Sequence, residues 1–517
     1  MKRILLAALA SSVIAGGLSI AALAQPGVQQ KATAAQPEPL NIPARKQQAP
    51  VPALLQSRAN EIFNTTCAGC HGIAATPGPS ARALLSNDFL ASHTDAQIVQ
   101  ALTDGVPGTP NHSFKTLFFP DEIAQMPALM RIRGGIVNRK VGPVPDINGK
   151  VFTSQKAGFK VETLVRGLNQ PWGLAFLPDG RLIFTERSGA LRFMDKSGNA
   201  SAPVKGTPAV FERQDGGMLD VALHPNFARN GWIYLSYSTV MPGYQVQPGD
   251  DQAPNMAPLT MTWVVRGKVN ANNEWVDQQV LFNPPADSYR VAADHYGSRF
   301  LFDGKGHFFW SMGERHDMQM SQNLASPLGK IHRLNDDGTI PKDNPFVRTP
   351  GALGSVWSYG HRNPEGLSID PATGIFWETE HGPVGGDEVN IIEPGKNYGW
   401  GMATYGIEPG IGRLHATGVT DPITHYNPSI GPAGITFYTG DKFPAWKGNL
   451  FATAMVGQKL IRMEIRGREI VSQETLIADH GRVRDVKVGP DGFLYVLLQN
   501  MNGDAKGGSI IRLVPAN

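Results

Sequence analysis

Beyond Pro145 the apolar positions repeat one phrase: a short hydrophobic run, a turn rich in Asp, Gly or Pro, and a second hydrophobic run. Residues 173–176 turn at Pro178-Asp179-Gly180 into 182–184, and 220–223 turn through His224-Pro225-Asn226 into 232–235. Residues 299–302 turn at Asp303-Gly304 into 308–310, and 366–369 turn at Asp370-Pro371 into 375–377. Residues 435–438 run through Pro444-Ala445-Trp446 into 450–451, and 485–488 turn at Pro490-Asp491-Gly492 into 494–496. Asp-Gly between β-rich runs signals a hairpin. Each hairpin leaves an apolar face that one unit cannot bury alone, so six similar units predict a repeat architecture. A six-bladed β-propeller over residues 150–517 meets that need, because each sheet covers the next and ring closure leaves few open edges. Runs such as 191–193 and 459–462 supply third strands, and long loops are expected at 240–290 and 395–430.

The N-terminus follows a different pattern. Met1-Lys2-Arg3 precedes an apolar run to Leu23, and Ala22-Leu23-Ala24 offers a small-residue cleavage site before Gln25. This arrangement predicts a secretory signal peptide over 1–24. An uncleaved anchor is the alternative, since the run is close to the ~20 residues that span a bilayer. Residues 25–52, rich in Gln, Ala and Pro, read as a linker. The expected location is therefore outside the cytoplasm, periplasmic in a Gram-negative source, with no transmembrane segment in the mature chain.

Composition narrows the function classes. The 517 residues carry 47 Lys plus Arg against 44 Asp plus Glu, a balance that offers no basic face for nucleic acid. With 41% hydrophobic and 18% charged residues the chain is globular rather than disordered. Two cysteines exclude a disulfide scaffold, and both lie in Cys67-Ala68-Gly69-Cys70-His71. Two thiols at this spacing can attach one haem, and the adjacent His71 then reaches the iron as proximal ligand. A helix-like approach at 56–66 precedes the motif, and Pro120-Asp121-Glu122-Ile123 opens a closing helix. Residues 53–140 resemble a small class I cytochrome c. The predicted fold is thus an all-β six-bladed propeller preceded by a small all-α cytochrome c domain. That family commonly carries Met-Pro-x-Phe after a turn like Gly105-Val106-Pro107-Gly108-Thr109-Pro110; here Asn111-His112-Ser113-Phe114 follows. The sixth iron ligand is left among His112, Asn111, Met126 and Met130.

Propeller strands are rigid, so chemistry is expected in the loops at one end. Polar clusters follow hairpin strands at one relative position: Asp294-His295-Tyr296-Gly297, Gly313-Glu314-Arg315-His316, Gly360-His361-Arg362-Asn363-Pro364, Glu380-His381-Gly382-Pro383 and Arg482-Val483-Arg484-Asp485. Together they bring His, Arg and carboxylates to one mouth, which suits an anionic ligand. Several phrases in these clusters, with Gln170-Pro171-Trp172-Gly173-Leu174-Ala175-Phe176, Gly386-Asp387-Glu388 and Asn397-Tyr398-Gly399-Trp400, carry a resemblance. From about residue 158 to the end the chain resembles the soluble pyrroloquinoline quinone (PQQ)-dependent glucose/sorbosone dehydrogenases, and more closely their aldose sugar dehydrogenase branch.

The resemblance implies a PQQ- and Ca²⁺-dependent oxidation of an aldose-type sugar, or a sorbosone-like aldehyde, at C1. His295 stands where the family has its general base, and Glu314 where an acid supports it. Arg362 and Asn363 match the pair at the quinone carbonyl edge, and His381 a cofactor contact. The main-chain oxygens of Gly382 and Pro383 match the catalytic Ca²⁺ ligands. Arg482 and Arg484, followed by Asp485, match the holders of the cofactor carboxylates, while Glu388 and Tyr398 match a structural Ca²⁺ site. Arginine forks suit a tricarboxylate, and Ca²⁺ favours hard oxygens. Two departures stand out. No lysine lies at Ala454-Met455-Val456, where relatives have a cofactor contact, and Asp215 stands where they carry glutamine. Fusion to a haem c implies that electrons leave through it to an external acceptor, a cytochrome or the quinone pool. The rival reading is a non-catalytic propeller that binds a glycan or protein, fused to a cytochrome c carrier.

Overall fold

The structure, a computed structural model, describes residues 62–72, 81–109, 112–137 and 146–516, apart from 251–255, 384, 407, 409–410, 412–413, 428 and 500–505. The signal peptide, the linker and Asn111 lie outside the described residues.

Six antiparallel sheets form a six-bladed propeller. Blade 1 (residues 171–194) has the strands Pro171–Phe176, Leu182–Glu186 and Ala190–Met194. Blade 2 (218–292) runs through Met218–Leu223, Ile233–Val240 and Met256–Val269, with Trp275–Phe282 and Arg290–Ala292 both paired to the third strand. Blades 3 (300–359), 4 (364–426) and 5 (432–478) have four strands each. Blade 6 joins Arg482–Val488, Leu494–Gln499 and Gly508–Pro515 to Gly158–Leu168 and Val151–Thr153, so the first strands of the propeller pair with its last. All six hairpins read from the sequence are present. The expected loop at 240–290 is a correction: it holds two long strands of blade 2, whose apolar run at 256–269 lacks turn residues at its centre.

Each strand type follows from its neighbours. Second strands such as Leu182–Glu186, Leu450–Ala454 and Leu494–Gln499 are buried along their whole length, because both of their faces meet other blades. That is why they read as continuous rather than alternating apolar runs. One apolar cluster fills each junction between blades; Trp446, Phe451, Phe159 and Val486, for example, join blades 5 and 6. The turns need glycine: Gly180, Gly304 and Gly492 have φ of 84°, 70° and 81°, a region open to glycine and strained for other residues. The inner strands line a central cavity of about 460 Å³ to which every blade contributes, through Ala175, Ala222, Phe300, Ile369, Phe437 and Val488.

One arginine crosses the axis above that cavity. Arg299, fully buried, bonds Asp220 of blade 2 and Asp485 of blade 6, each at 3.1 Å, and its Nε donates to Glu365 O of blade 4 at 2.9 Å. Its guanidinium lies 4.3 Å from the ring centre of Trp172 in blade 1. Burial opposes its charge, but the Asp485, Asp220 and Glu365 carboxylates outweigh that and raise its pKa.

Ahead of the propeller the described residues include several helices. A π-helical turn, Phe63–Cys67, leads into α1 (Ala68–His71), followed by α2 (Asn87–Ser92), α3 (Asp95–Asp104) and α4 (Pro120–Val137). Thr94 and Gln97 form a reciprocal capping box on α3, which satisfies two amide groups that the helix leaves open. α4 starts at Pro120, as the sequence predicts. Ile62, Phe63, Leu85, Ile98, Met126 and Leu129 form the core of these helices. No helix among the described residues is long and apolar enough to cross a membrane.

Replacing Arg299 by Met strands two buried aspartates. The expected loss is about 3–5 kcal/mol, read as a fall in the chemical unfolding midpoint at neutral pH. The deficit should shrink in acid, where the stranded carboxyls take up protons.

Candidate active site

Hairpin geometry decides which loops meet. Inner strands begin, and second strands end, at the same mouth of the ring, opposite the Asp-Gly turns. His295 and Arg362-Asn363 lie within five residues ahead of inner strands, while Arg187, Glu314 and His381-Gly382 follow second strands within two residues. Arg482 and Arg484 lie at the start of the blade 6 inner strand, and Asp215 just ahead of that of blade 2. The structure therefore brings His295, Glu314, Arg362, Asn363, His381, Arg482, Arg484 and Asp215 together. Asp485 instead faces the axis, where it bonds Arg299.

His295 has φ 57°, a strained conformation for a side chain of its size. Its Nδ1 lies 2.5 Å from Glu314 Oε1, and its ring stacks on His316 at 4.2 Å between centres. His316 Nε2 in turn bonds Asp294 Oδ1 at 2.6 Å. Burial, with the Arg362 and His316 cations beside it, pushes the His295 pKa well below that of an ordinary histidine. The bond from Asp294 raises that of His316. Burial also raises Glu314. The stacked pair is thus one neutral imidazole under one that readily carries charge, and neutral His295 is a donor through Nδ1 and a base through Nε2.

The cationic wall is braced from beneath. Arg484 Nη1 bonds Glu365 Oε2 at 2.7 Å, and Glu365 Oε1 accepts from Asn363 at 3.1 Å. Asn363 Oδ1 accepts from Gly297 N at 2.9 Å, tying the His295 loop to blade 4. Arg362 donates to Gly382 O at 2.9 Å, and its own amide is held by Glu380 at 2.6 Å. Asp215 sits among these cations. Burial disfavours its charge, but the Arg484 and Arg482 guanidiniums beside it outweigh that and hold its carboxyl below the usual range. Arg362 Nε, Arg484 Nε, Arg187 Nε, His381 Nε2 and Glu314 Oε2 are buried with no hydrogen-bond partner. Four of these five are donors or ring nitrogens suited to an anion, and buried groups of this kind ordinarily have a partner.

Beside this wall lies an acidic nest. Asn390 Nδ2 is 3.0, 3.3 and 3.2 Å from carboxylate oxygens of Glu378, Glu380 and Glu388. Burial and mutual repulsion raise Glu378 and Glu388 well above the usual carboxyl range. Glu388 and Tyr398 line the same small cleft as Arg362 and Gly382. The Tyr398 hydroxyl donates to Ile391 O and accepts from Glu393 N. His361 is structural, held by Ser358 and Glu380 and stacked on Tyr398. His224 likewise bonds Asp336 and the Asn226 amide, in the hairpin turn of blade 2 at the end opposite the mouth. Reading the sequence missed Arg187, Glu365 and the His316–Asp294 pair as site members. Only Asp294 and His316 carried a signal, through their places beside His295 and Glu314.

The ring is that of a known family of sugar dehydrogenases. Residues 168–512 match the family described as Glucose / Sorbosone dehydrogenase, and the chain belongs to that family. Aldose sugar dehydrogenase YliI of Escherichia coli (strain K12) is 38% identical over 371 residues, covering 70% of this chain and 94% of that protein. Quinoprotein glucose dehydrogenase B of Acinetobacter calcoaceticus is 28% identical over 280 residues, 50% of this chain and 55% of that protein. The apo-form of the soluble aldose sugar dehydrogenase from Escherichia coli superposes with a TM-score of 0.63 at 35% identity, covering 69% of this chain and 100% of that one. The PQQ-bound form of aldose sugar dehydrogenase from Streptomyces coelicolor does so with a TM-score of 0.54 at 28% identity, over 69% and 98%.

Removing the His316 cation should raise the His295 pKa. In a side-chain nitrogen NMR titration, His316→Gln is expected to move the His295 transition to higher pH. An unmoved transition would show that the stacked rings are electrostatically independent.

Proposed function

We propose that this chain oxidises an aldose-type sugar, or a sorbosone-like aldehyde, at C1 with the help of PQQ and Ca²⁺, and passes the electrons to a covalent haem c. The observation that carries the reading is the buried His295–Glu314 pair facing a wall of arginines in which the Nε atoms of Arg362, Arg484 and Arg187 have no hydrogen-bond partner among the described residues, in a chain of this family. Arg482 and Arg484 would hold the carboxylates of PQQ, Arg362 and Asn363 its quinone edge, and His381 its ring. The main-chain oxygens of Gly382 and Pro383 would hold the catalytic Ca²⁺. Glu388, with its neighbours Glu378 and Glu380, offers the hard oxygens of a second, structural Ca²⁺ site; Tyr398, its hydroxyl already engaged, would contribute a main-chain oxygen. When bound, PQQ supplies a two-electron acceptor, Ca²⁺ a Lewis acid, and haem a one-electron carrier in the same chain.

The protein's own part is proton handling and placement. His295, with Nδ1–H donated to Glu314, presents the Nε2 lone pair to the C1 hydroxyl proton of the sugar. Glu314 fixes that tautomer and balances the imidazolium that forms. The low pKa of His295 keeps the base neutral into mildly acidic solution, and activity is lost only as pH falls through it. Arg362 is placed to stabilise developing negative charge. Cys67 and Cys70 would anchor the haem and His71 ligate it. Export to the periplasm by the segment 1–24 would place the enzyme next to an external cytochrome or the quinone pool.

The binding-module reading draws on Asp215, an anion amid the cations meant for PQQ, and on Val456 in place of a lysine. Titration calorimetry separates the two: PQQ with Ca²⁺ should bind, and Asp215→Gln should tighten binding by removing the repulsion. In protein loaded with PQQ and Ca²⁺, an aldose should convert the oxidised haem spectrum to the reduced one, and His295→Ala should slow this by ~10²–10⁴-fold. A protein that binds neither PQQ nor reduces its haem on sugar addition is a binding module.

A further inference from the structure

Resting on the reading that Cys67, Cys70 and His71 carry a covalent haem, we propose that the second axial ligand is His112, so that two histidines hold the iron. The rings of His71 and His112 lie 6.0 Å apart between centres and meet at 82°. Two imidazoles that bind one first-row metal ion from opposite sides, at nitrogen–metal distances of ~2.0–2.1 Å, have their centres about 6 Å apart. A directly stacked pair is much closer, as His295 and His316 are at 4.2 Å. The spacing of His71 and His112 leaves room for a metal ion between them; edge-to-face rings such as His112 and Phe114, at 6.3 Å, reach it without one.

Both rings are held in place. His71 Nδ1 lies 2.8 Å from Arg82 O; donating there fixes the tautomer that leaves Nε2 for a metal. The loop bearing His112 leaves α3 through Gly105 and turns at Gly108, with φ of 90° and 77°. It is pinned back to that helix by Ser113 Oγ, which donates to Thr103 O at 2.7 Å, and by Phe114 N, which donates to Leu102 O at 2.7 Å. The neighbouring cleft is lined by Ile62, Cys67, Leu102, Phe114, Phe118 and Met126, apolar side chains that suit the face of a porphyrin, and by one charged residue, Glu122, whose carboxylate accepts from the Phe119 amide at 2.9 Å. Met126 and Met130, on α4, are 3% and 2% exposed and sit in the core with Ile62, Leu85, Ile98 and Leu129. Met126 also lines the cleft, which makes it the rival ligand that the Met126→Leu variant tests.

Two consequences separate this haem from a His/Met one. Imidazole in place of thioether lowers the reduction potential. Crossed imidazole planes leave the two iron dπ orbitals nearly degenerate, so the ferric state should give a strongly anisotropic low-spin EPR signal with one large g value.

The test uses the full chain with its haem attached, and compares absorption, frozen-solution EPR and redox titration for wild type, His112→Met, His112→Ala and Met126→Leu. Wild type should show the large-g signal and no methionine–iron charge-transfer band. His112→Met should gain that band and a higher potential. His112→Ala should turn high-spin and recover a low-spin spectrum with added imidazole, and Met126→Leu should match wild type. A methionine–iron band in wild type, or an unchanged low-spin spectrum in His112→Ala, overturns the assignment and leaves the haem reading intact. A chain that matures without covalently bound haem overturns the haem reading, and the ligand with it.

Discussion

The structure depends on a buried charge at its centre. Arg299 is surrounded by Asp220, Asp485 and the Glu365 carbonyl, contributed by three other blades, with the Trp172 ring of a fourth against its guanidinium. A ring of separate sheets has no strand pairing between blades to fix their distance from the axis. A guanidinium with a planar fork can fix it, because its donors point in set directions. The same residue closes the floor beneath the polar mouth, so the cations above it stand on a paired, rigid layer.

That layering explains how many cations can crowd one mouth. Arg484 is bonded to Glu365, which also holds Asn363, and Asn363 holds the loop of His295. The chain Arg484–Glu365–Asn363–Gly297 thus runs from blade 6 to blade 3 and sets the distance between the cationic wall and the basic imidazole. Such networks are stabilising only when each member is satisfied. Here Glu365 and Asn363 are engaged on both sides, while Arg484 Nε above them and Arg299 Nη2 and Asp485 Oδ2 in the floor have no hydrogen-bond partner among the described residues.

What the sequence revealed follows from what is local. The six hairpins were legible because Asp-Gly and Pro-Asp turns punctuate continuous apolar runs. The meeting of His295, Glu314, Arg362 and His381 was legible because each stands within a few residues of the same end of its hairpin. Two outer strands of blade 2 were hidden, since the residues before 256–269 are rich in Gly, Pro and Asp and mimic a loop. Pairings between distant blades left no trace: Glu365 and Arg484 are 119 positions apart. Asp485 read as a member of the arginine motif, yet an irregularity in the strand between Val483 and Asp485 leaves both Arg484 and Asp485 buried, the first on Glu365 and the second on Arg299.

The seam of blade 6 has a topological consequence. Gly158–Leu168 lies hydrogen-bonded along Gly508–Pro515, so both ends of the propeller emerge side by side. Joining them and opening the chain at an exposed turn such as Gly467, which separates two strands of blade 5, would keep every strand pairing while moving the helical segment's point of attachment to another edge of the disc. A circularly permuted chain of this kind would reposition one module around the other without altering either.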